Sequence, residues 1–257
     1  MDLIEVPKRL SERHPWEVAR FDFFFRVLAS NLDVRKLGTV LDIGAGDAWF
    51  AEQLTLRAAP TRIVCWDTGY TAEMLAGGSP QGNGSIHLVA ARPADAFDLL
   101  LFLDVLEHIE DAERFLGTII DENLARGGHV LVSVPAWPAL FSSHDVHLRH
   151  NRRYTPGAAR ALLRGAGLRI VRSAGLFHSL VIPRAMQVAR ERVTGWSDPP
   201  ADVGEWKASQ AMTSLVRTAL MCDARLSLLE SWLGWSLPGL SWWALCRRAS
   251  EPEARRA

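Results

Sequence analysis

Val40-Leu41-Asp42-Ile43-Gly44-Ala45-Gly46-Asp47-Ala48-Trp49-Phe50 decides how this chain folds. An apolar run ends in a carboxylate, two glycines follow, and helix formers (Ala51-Glu52-Gln53-Leu54) come next. That order reads as a strand, a tight backbone loop and a helix N-terminus, the arrangement with which α/β proteins cradle a nucleotide-like ligand. Gly44 and Gly46 let the backbone come close to the ligand because they carry no Cβ. Asp42 narrows the ligand's chemistry. A carboxylate just before the glycines repels a pyrophosphate and suits a ligand bearing a sulfonium and an ammonium. Asp47 and Trp49 flank the loop at the ligand's edge.

Outward from this loop, strand and helix signals alternate from Leu37 onward. Strands are predicted at Thr39–Ile43, Arg62–Trp66, Ile86–Ala90, Asp98–Leu103, His129–Val134 and Leu168–Ser173, with a final one in Leu240–Arg247. Helical patterns lie between most of them, including Ala112–Glu122 and Pro156–Gly165, the latter with proline in its first turn. Alternating units of this kind imply a parallel sheet with helices on both faces. Pro15–Leu32 is also helical, with Phe21, Phe24, Phe25 and Leu28 on one face, placed to pack on the sheet or to cap the ligand. Gly77–Gly84 is a turn-rich surface loop.

Between the sixth strand and the last lie about 65 residues that a minimal seven-stranded sheet does not need. Leu180–Val193 is helical in pattern despite Pro183. Met212, Leu215, Val216, Ala219, Leu220, Leu226, Leu229 and Leu233 follow helical spacing, while Arg217, Asp223, Arg225 and Glu230 are expected on the opposite face. Trp196-Ser197-Asp198-Pro199-Pro200 reads as a hinge. Residues 176–238 are therefore expected to form a helical cover over an acceptor pocket, with Trp196, Trp206, Trp232 and Trp235 adding apolar surface. Two other readings stand beside it: a face that completes the core, or a segment resting on a membrane.

The chain has 257 residues and a formal net charge of +0. The expected organisation is an N-terminal helical segment (1–36), one main domain (37–250) carrying that insertion, and a disordered tail (251–257). Neutral balance argues against a nucleic-acid binder. Cys65, Cys222 and Cys246 are far apart, lack metal-ligand spacing, and read as thiols in a reducing compartment. The N-terminus lacks a signal-peptide pattern, and no apolar run approaches the ~20 residues needed to span a bilayer. A cytoplasmic protein is expected.

Asp67 ends the second strand, about 20 residues after the glycine loop, where a carboxylate can accept both ribose hydroxyls of a nucleoside. Phe97-Asp98-Leu99 opens the fourth strand, which runs into Asp104-Val105-Leu106-Glu107-His108; Gly127-Gly128 leads into the fifth, and His150-Asn151-Arg152-Arg153-Tyr154 closes the loop after it. His108 and His150 both follow the carboxyl ends of strands, where open α/β sheets keep their ligands. A neutral imidazole is available as a base near pH 7. Arg149, Arg152 and Arg153 suit an anionic substrate group or acids of the protein itself.

Together these motifs resemble the class I S-adenosylmethionine (SAM) dependent methyltransferases, well over about residues 37–175 and more loosely at the last strand. The closing His-x-Arg-Arg-Tyr is similar to a bacterial subset of them. The resemblance implies a Rossmann-like, seven-stranded, mostly parallel sheet with SAM as cofactor. It places the cofactor on Asp42, Gly44, Ala45, Gly46 and Asp47, on Asp67 and Thr68, and on Leu103 and Asp104. Relatives hold adenine with an acid after the third strand. None stands here, so backbone groups at Ala91 and Arg92 take that place. The catalytic set is His150, His108 and Asp145. Ubiquinone-pathway O-methyltransferases are reported to bind a metal through a Glu-x-x-Glu-His set and a distant histidine. Asp104, Glu107, His108 and His150 correspond to these, and a divalent metal is the lesser reading. The implied reaction is methyl transfer, most often to oxygen, on a small or lipid-like acceptor. The rivals are a nicotinamide-dependent oxidoreductase, disfavoured by Asp42 and by Ala48-Trp49-Phe50, and a non-catalytic SAM-binding scaffold.

Overall fold

A computed structural model of the protein describes residues 13–77, 84–195 and 209–249. In chain order the elements are α1 (Pro15–Asn31), β1 (Thr39–Ile43), α2 (Trp49–Ala58), β2 (Arg62–Trp66), α3 (Ala72–Gly77), β3 (Ile86–Val89), β4 (Phe97–Leu103) and α4 (Ala112–Asn123). There follow β5 (Leu124–Pro135), α5 (Ser143–His147), α6 (Pro156–Gly165), β6 (Leu168–Leu176), α7 (Val181–Thr194), α8 (Gln210–Leu233) and β7 (Ser241–Arg248). The strands form one sheet in the order β3-β2-β1-β4-β5-β7-β6. Pairs from β3 to β5 are parallel, and β7 runs antiparallel to both neighbours. The Rossmann-like sheet expected from the sequence is present.

Side chains alternate across each strand, so the sheet has two cores. On one face Val40, Ile63, Leu99, Leu101 and Trp243 pack with Phe21, Phe23, Phe24 and Leu28 of α1, Leu54 of α2 and Leu220 of α8. On the other, Leu41, Val64, Leu100, Phe102 and Val132 pack with Leu116, Ile119 and Ile120 of α4 and Leu163 of α6. Burial on both faces is why the central strands read as continuous apolar runs. The aromatic stripe of α1 packs on the sheet, and Phe21 also reaches the ligand cleft.

Two sequence expectations are corrected. β5 begins at Leu124 rather than His129, and Gly127-Gly128 lies in an irregularity within it, where register passes from Phe97↔Leu124 to Leu99↔His129. The faces of α8 also differ from the expected division. Asp223 and Glu230 point inward and are buried, whereas Met212, Leu215, Leu226, Leu229 and Leu233 are exposed. The inward acids have partners: Asp223 accepts from the Ser179 N–H and hydroxyl, and Glu230 from the Leu237 N–H. Trp196–Pro200, Trp206, most of the Gly77–Gly84 loop and 251–257 lie outside the described residues.

The insertion returns to the sheet where residues 175–176 run against 237–239. A Cβ on Gly175 would overlap the Leu237 carbonyl, and one on Gly239 would overlap backbone atoms of Leu176. Only glycine permits that approach. α8 packs along α1 and β6, and α7 packs over the turn at Pro138–Leu140.

Candidate active site

The loop after β1 turns on three left-handed residues, Gly44 (φ 63°), Gly46 (φ 57°) and Ala48 (φ 62°). The Gly44 and Ala45 N–H groups both donate to the Trp66 carbonyl at the end of β2. A Cβ on Gly44 would stand 2.9 Å from Cγ2 of Val105. Its smallness therefore makes room for the chain after β4 as well as for a ligand. The Gly46 N–H donates to Asp67 Oδ2 at 3.0 Å, and Asp67 Oδ1 accepts from the Gly69 N–H at 2.8 Å.

This loop forms the floor of a cleft open to solvent, whose lining includes Asp42, Gly44, Ala45, Asp47, Trp49 and Leu103. α1 and the residues before it supply the rest, among them Arg13, Glu17, Arg20 and Phe21. Asp42 is buried with Oδ2 lacking a hydrogen-bond partner, and burial pushes its pKa up to about 7, against the pull of Arg20. An ammonium group would relieve that carboxylate; a second anion would not. At the rim Arg13 pairs with Asp47 and Glu17, its guanidinium 4.9 Å from the Trp49 ring centroid. Deeper, Arg20 meets Asp104 at 2.7 Å and donates to the Ser133 hydroxyl, which donates to Asp104 Oδ1 at 2.8 Å.

The sequence did not single out Arg13, Glu17 or Arg20. The available signal was their spacing, since positions 13, 17, 20 and 21 share a helix face with the buried phenylalanines. Thr68 is exposed in the turn after β2. Ala91 and Arg92 are exposed after β3, and Arg92 pairs with Glu122 of α4 at 2.5 Å.

Beside the cleft, the turn Leu106–His108 after β4 meets the loop after β5. The Asn151 N–H donates to the Glu107 carbonyl, the Asn151 amide to the His108 carbonyl, and the Tyr154 hydroxyl to the Leu106 carbonyl. These bonds bring the His108 and His150 rings to 4.8 Å between centroids, edge to face. Asp145 is wholly buried beneath His150. Its Oδ1 lies 2.9 Å from His150 Nδ1 and accepts from Arg153 Nε at 2.8 Å, and its Oδ2 accepts from the Ser142 N–H. Although burial alone would raise it, bonding to His150 and the Arg153 charge hold its carboxyl below the usual range. Arg153 is thus committed to the protein, and Arg152 donates to the Glu110 carbonyl. From α7, Arg184 donates to the Ser142 hydroxyl, and Glu191 accepts from the Ser143 N–H and hydroxyl.

The four-ligand set suggested by the sequence is narrowed. Glu107, His108 and His150 offer atoms within 4.8 Å of one another, whereas Asp104 is engaged with Arg20 and Ser133. Glu107 is fully buried with neither carboxylate oxygen hydrogen-bonded, and burial followed by repulsion from Asp104 drives its pKa well up.

A family model described as a methyltransferase domain matches residues 17–173. A search of curated proteins finds no match. Among solved structures, the chain is similar to the N-methyltransferase NodS from Bradyrhizobium japonicum, solved with S-adenosyl-L-homocysteine. Identity there is 14%, coverage 92% of this chain and 89% of that one, and TM-score 0.52. It is also similar to a SAM-dependent methyltransferase from Mesorhizobium loti, at 16% identity, 89% and 100% coverage, and TM-score 0.54. At such identities the likeness is one of fold.

Proposed function

The chain belongs to the class I SAM-dependent methyltransferases, and on that premise we propose that it methylates an oxygen of a small or lipid-like acceptor with His150 as base. Bound SAM supplies an electrophilic methyl group on a sulfonium. Asp42 would hold the ammonium of its amino-acid end, and Arg20 would face the carboxylate. Asp67 would receive the ribose hydroxyls, and backbone groups at Ala91 and Arg92 would meet the adenine.

The observation that carries the reading is the buried Asp145 held against His150 Nδ1. A carboxylate on one ring nitrogen fixes the tautomer and leaves Nε2 to take a proton. His150 Nε2 would take the proton of the acceptor hydroxyl, whose oxygen would receive the methyl group that bound SAM supplies. In-line attack gains most from positioning at about 3 Å in a dry site, and α7, tied to the Ser142–Ser143 turn, covers that side. His108 packs across from His150 as the second candidate base.

The test is a methyl-transfer assay over a panel of hydroxylated acceptors. His150→Ala should lower kcat on the order of 10²–10⁴-fold while SAM affinity by calorimetry stays unchanged. Full turnover in that variant would return His150 to the role of a loop residue. Product with no acceptor on a broad panel, alongside normal SAM binding, would favour the non-catalytic scaffold.

A second reading is favoured by one observation, the unpartnered Glu107 carboxylate beside the two histidines. A buried carboxylate with two imidazoles is a donor set that fits a divalent ion with positions open to an acceptor hydroxyl. Loss of activity in chelator, restored by Mg²⁺ or Zn²⁺, would replace general-base catalysis with metal activation.

A further inference from the structure

We propose that the outer face of α8, with the tryptophans that end it, docks on an anionic lipid surface. α8 is apolar on two sides. Inward, Leu220, Ala224 and Ser227 are buried against α1 and β6. Outward, Leu215, Leu226, Leu229 and Leu233 recur at helical spacing and stand 64%, 37%, 55% and 51% exposed. Trp232 and Trp235 extend that face, at 62% and 64% exposed. A helix with apolar residues on both sides is one whose outer side is covered by something.

Charge identifies the cover. Among the described residues of α8, the exposed charged side chains are Arg217 and Arg225. The acids of α8 are turned onto the protein. Asp223 is bonded to Ser179 and Glu230 to the Leu237 N–H. In a chain of net charge +0, the described part of α8 thus exposes charges of one sign. A second copy meeting this face on a two-fold axis would bring arginines against arginines. An anionic bilayer accepts both features at once, leucines and tryptophans in the acyl boundary and guanidinium groups among the headgroup phosphates. Arg172, whose guanidinium lies 4.4 Å from the Trp232 ring centroid, adds a cation beside the interfacial ring. The contact is peripheral, because no helix among the described residues is long and apolar enough to cross a membrane.

This surface is independent of the catalytic reading and is tested without turnover. The full chain is sedimented with phosphatidylcholine vesicles, with and without phosphatidylglycerol. Binding is expected only with phosphatidylglycerol and is expected to weaken as salt rises. The R217Q/R225Q double variant should bind roughly 30-fold more weakly, at about five-fold per arginine. L229D/L233D should not bind, and unchanged SAM affinity in both variants shows that they are folded. Three results overturn the proposal: no pelleting with either vesicle, equal pelleting with phosphatidylcholine alone, or a solution dimer that L229D/L233D dissociates while vesicles fail to bind.

Discussion

Asp42 lies on the cleft floor with burial raising its pKa to about 7. Its folded value stands above its unfolded one, near 4, so the folded protein without cofactor retains a proton that the unfolded chain releases. That contribution to stability is complete below the unfolded pKa and is lost as pH rises toward about 7. An ammonium beside Asp42 favours the ionised form. SAM binding should therefore expel a proton on the acid side of neutrality and tighten as pH rises to about 7. Calorimetry in buffers of different ionisation enthalpy measures that proton, and Asp42→Asn should abolish its release. Asp145 has the opposite sign. Its folded pKa is depressed, so its stabilisation is present above the ordinary carboxylate range and is lost as pH falls through the folded value. Asp145→Ala leaves Arg153 buried and unpaired, a loss of about 3–5 kcal/mol visible in denaturant unfolding. Asp145→Asn should fold, show a flatter acid limb, and lose turnover because His150 no longer has an anionic partner.

Within single elements, α8 shows where helical periodicity misleads, and α1 shows what it leaves unsaid. The pattern of α8 permits several apolar faces, because its leucines and Val216 occupy more than half of its circumference. Packing chose the face with small residues, Ala224, Ser227 and Ser231, which let the helix approach β6; the Ser227 hydroxyl receives the Trp243 indole N–H at 2.8 Å. Leu220→Ala should cost about 2–5 kcal/mol, whereas Leu229→Ala should stay within about 0.5 kcal/mol. Equal losses in urea unfolding would mean that the outer face is also packed. In α1 the phenylalanine stripe was legible, but the role of Arg13 and Arg20 was not. A guanidinium on a buried face is informative only once its acid is known, and Asp47 and Asp104 come from other segments.

For the molecule as a whole, the insertion is held where two glycines let the backbones at 175–176 and 237–239 touch. Gly239→Val should prevent that closure and yield insoluble or unfolded protein. Gly117, in α4 with no atom within 4 Å of an added Cβ, is the control. Gly117→Ala should leave stability unchanged or raise it by up to about 1 kcal/mol. Melting temperatures of the two variants check the contrast.

By itself the sequence determined the α/β class, the seven strands to within a few residues except at the start of β5, the β1 loop with Asp42, Gly44 and Gly46, and the carboxylate of Asp67 at the end of β2. These signals are local: strand period, glycine where φ is positive, and a carboxylate at a strand end. Tertiary structure alone decided that His108 meets His150, that Asp145 lies beneath it, and that Asp104 serves Arg20 instead of joining Glu107. It alone turned Asp223 and Glu230 of α8 inward and Leu215, Leu226, Leu229 and Leu233 outward. The reason is common to all of these. Each depends on segments distant in sequence approaching within a few ångströms, and that approach is set by how the two cores fill, not by the pattern of any one stretch.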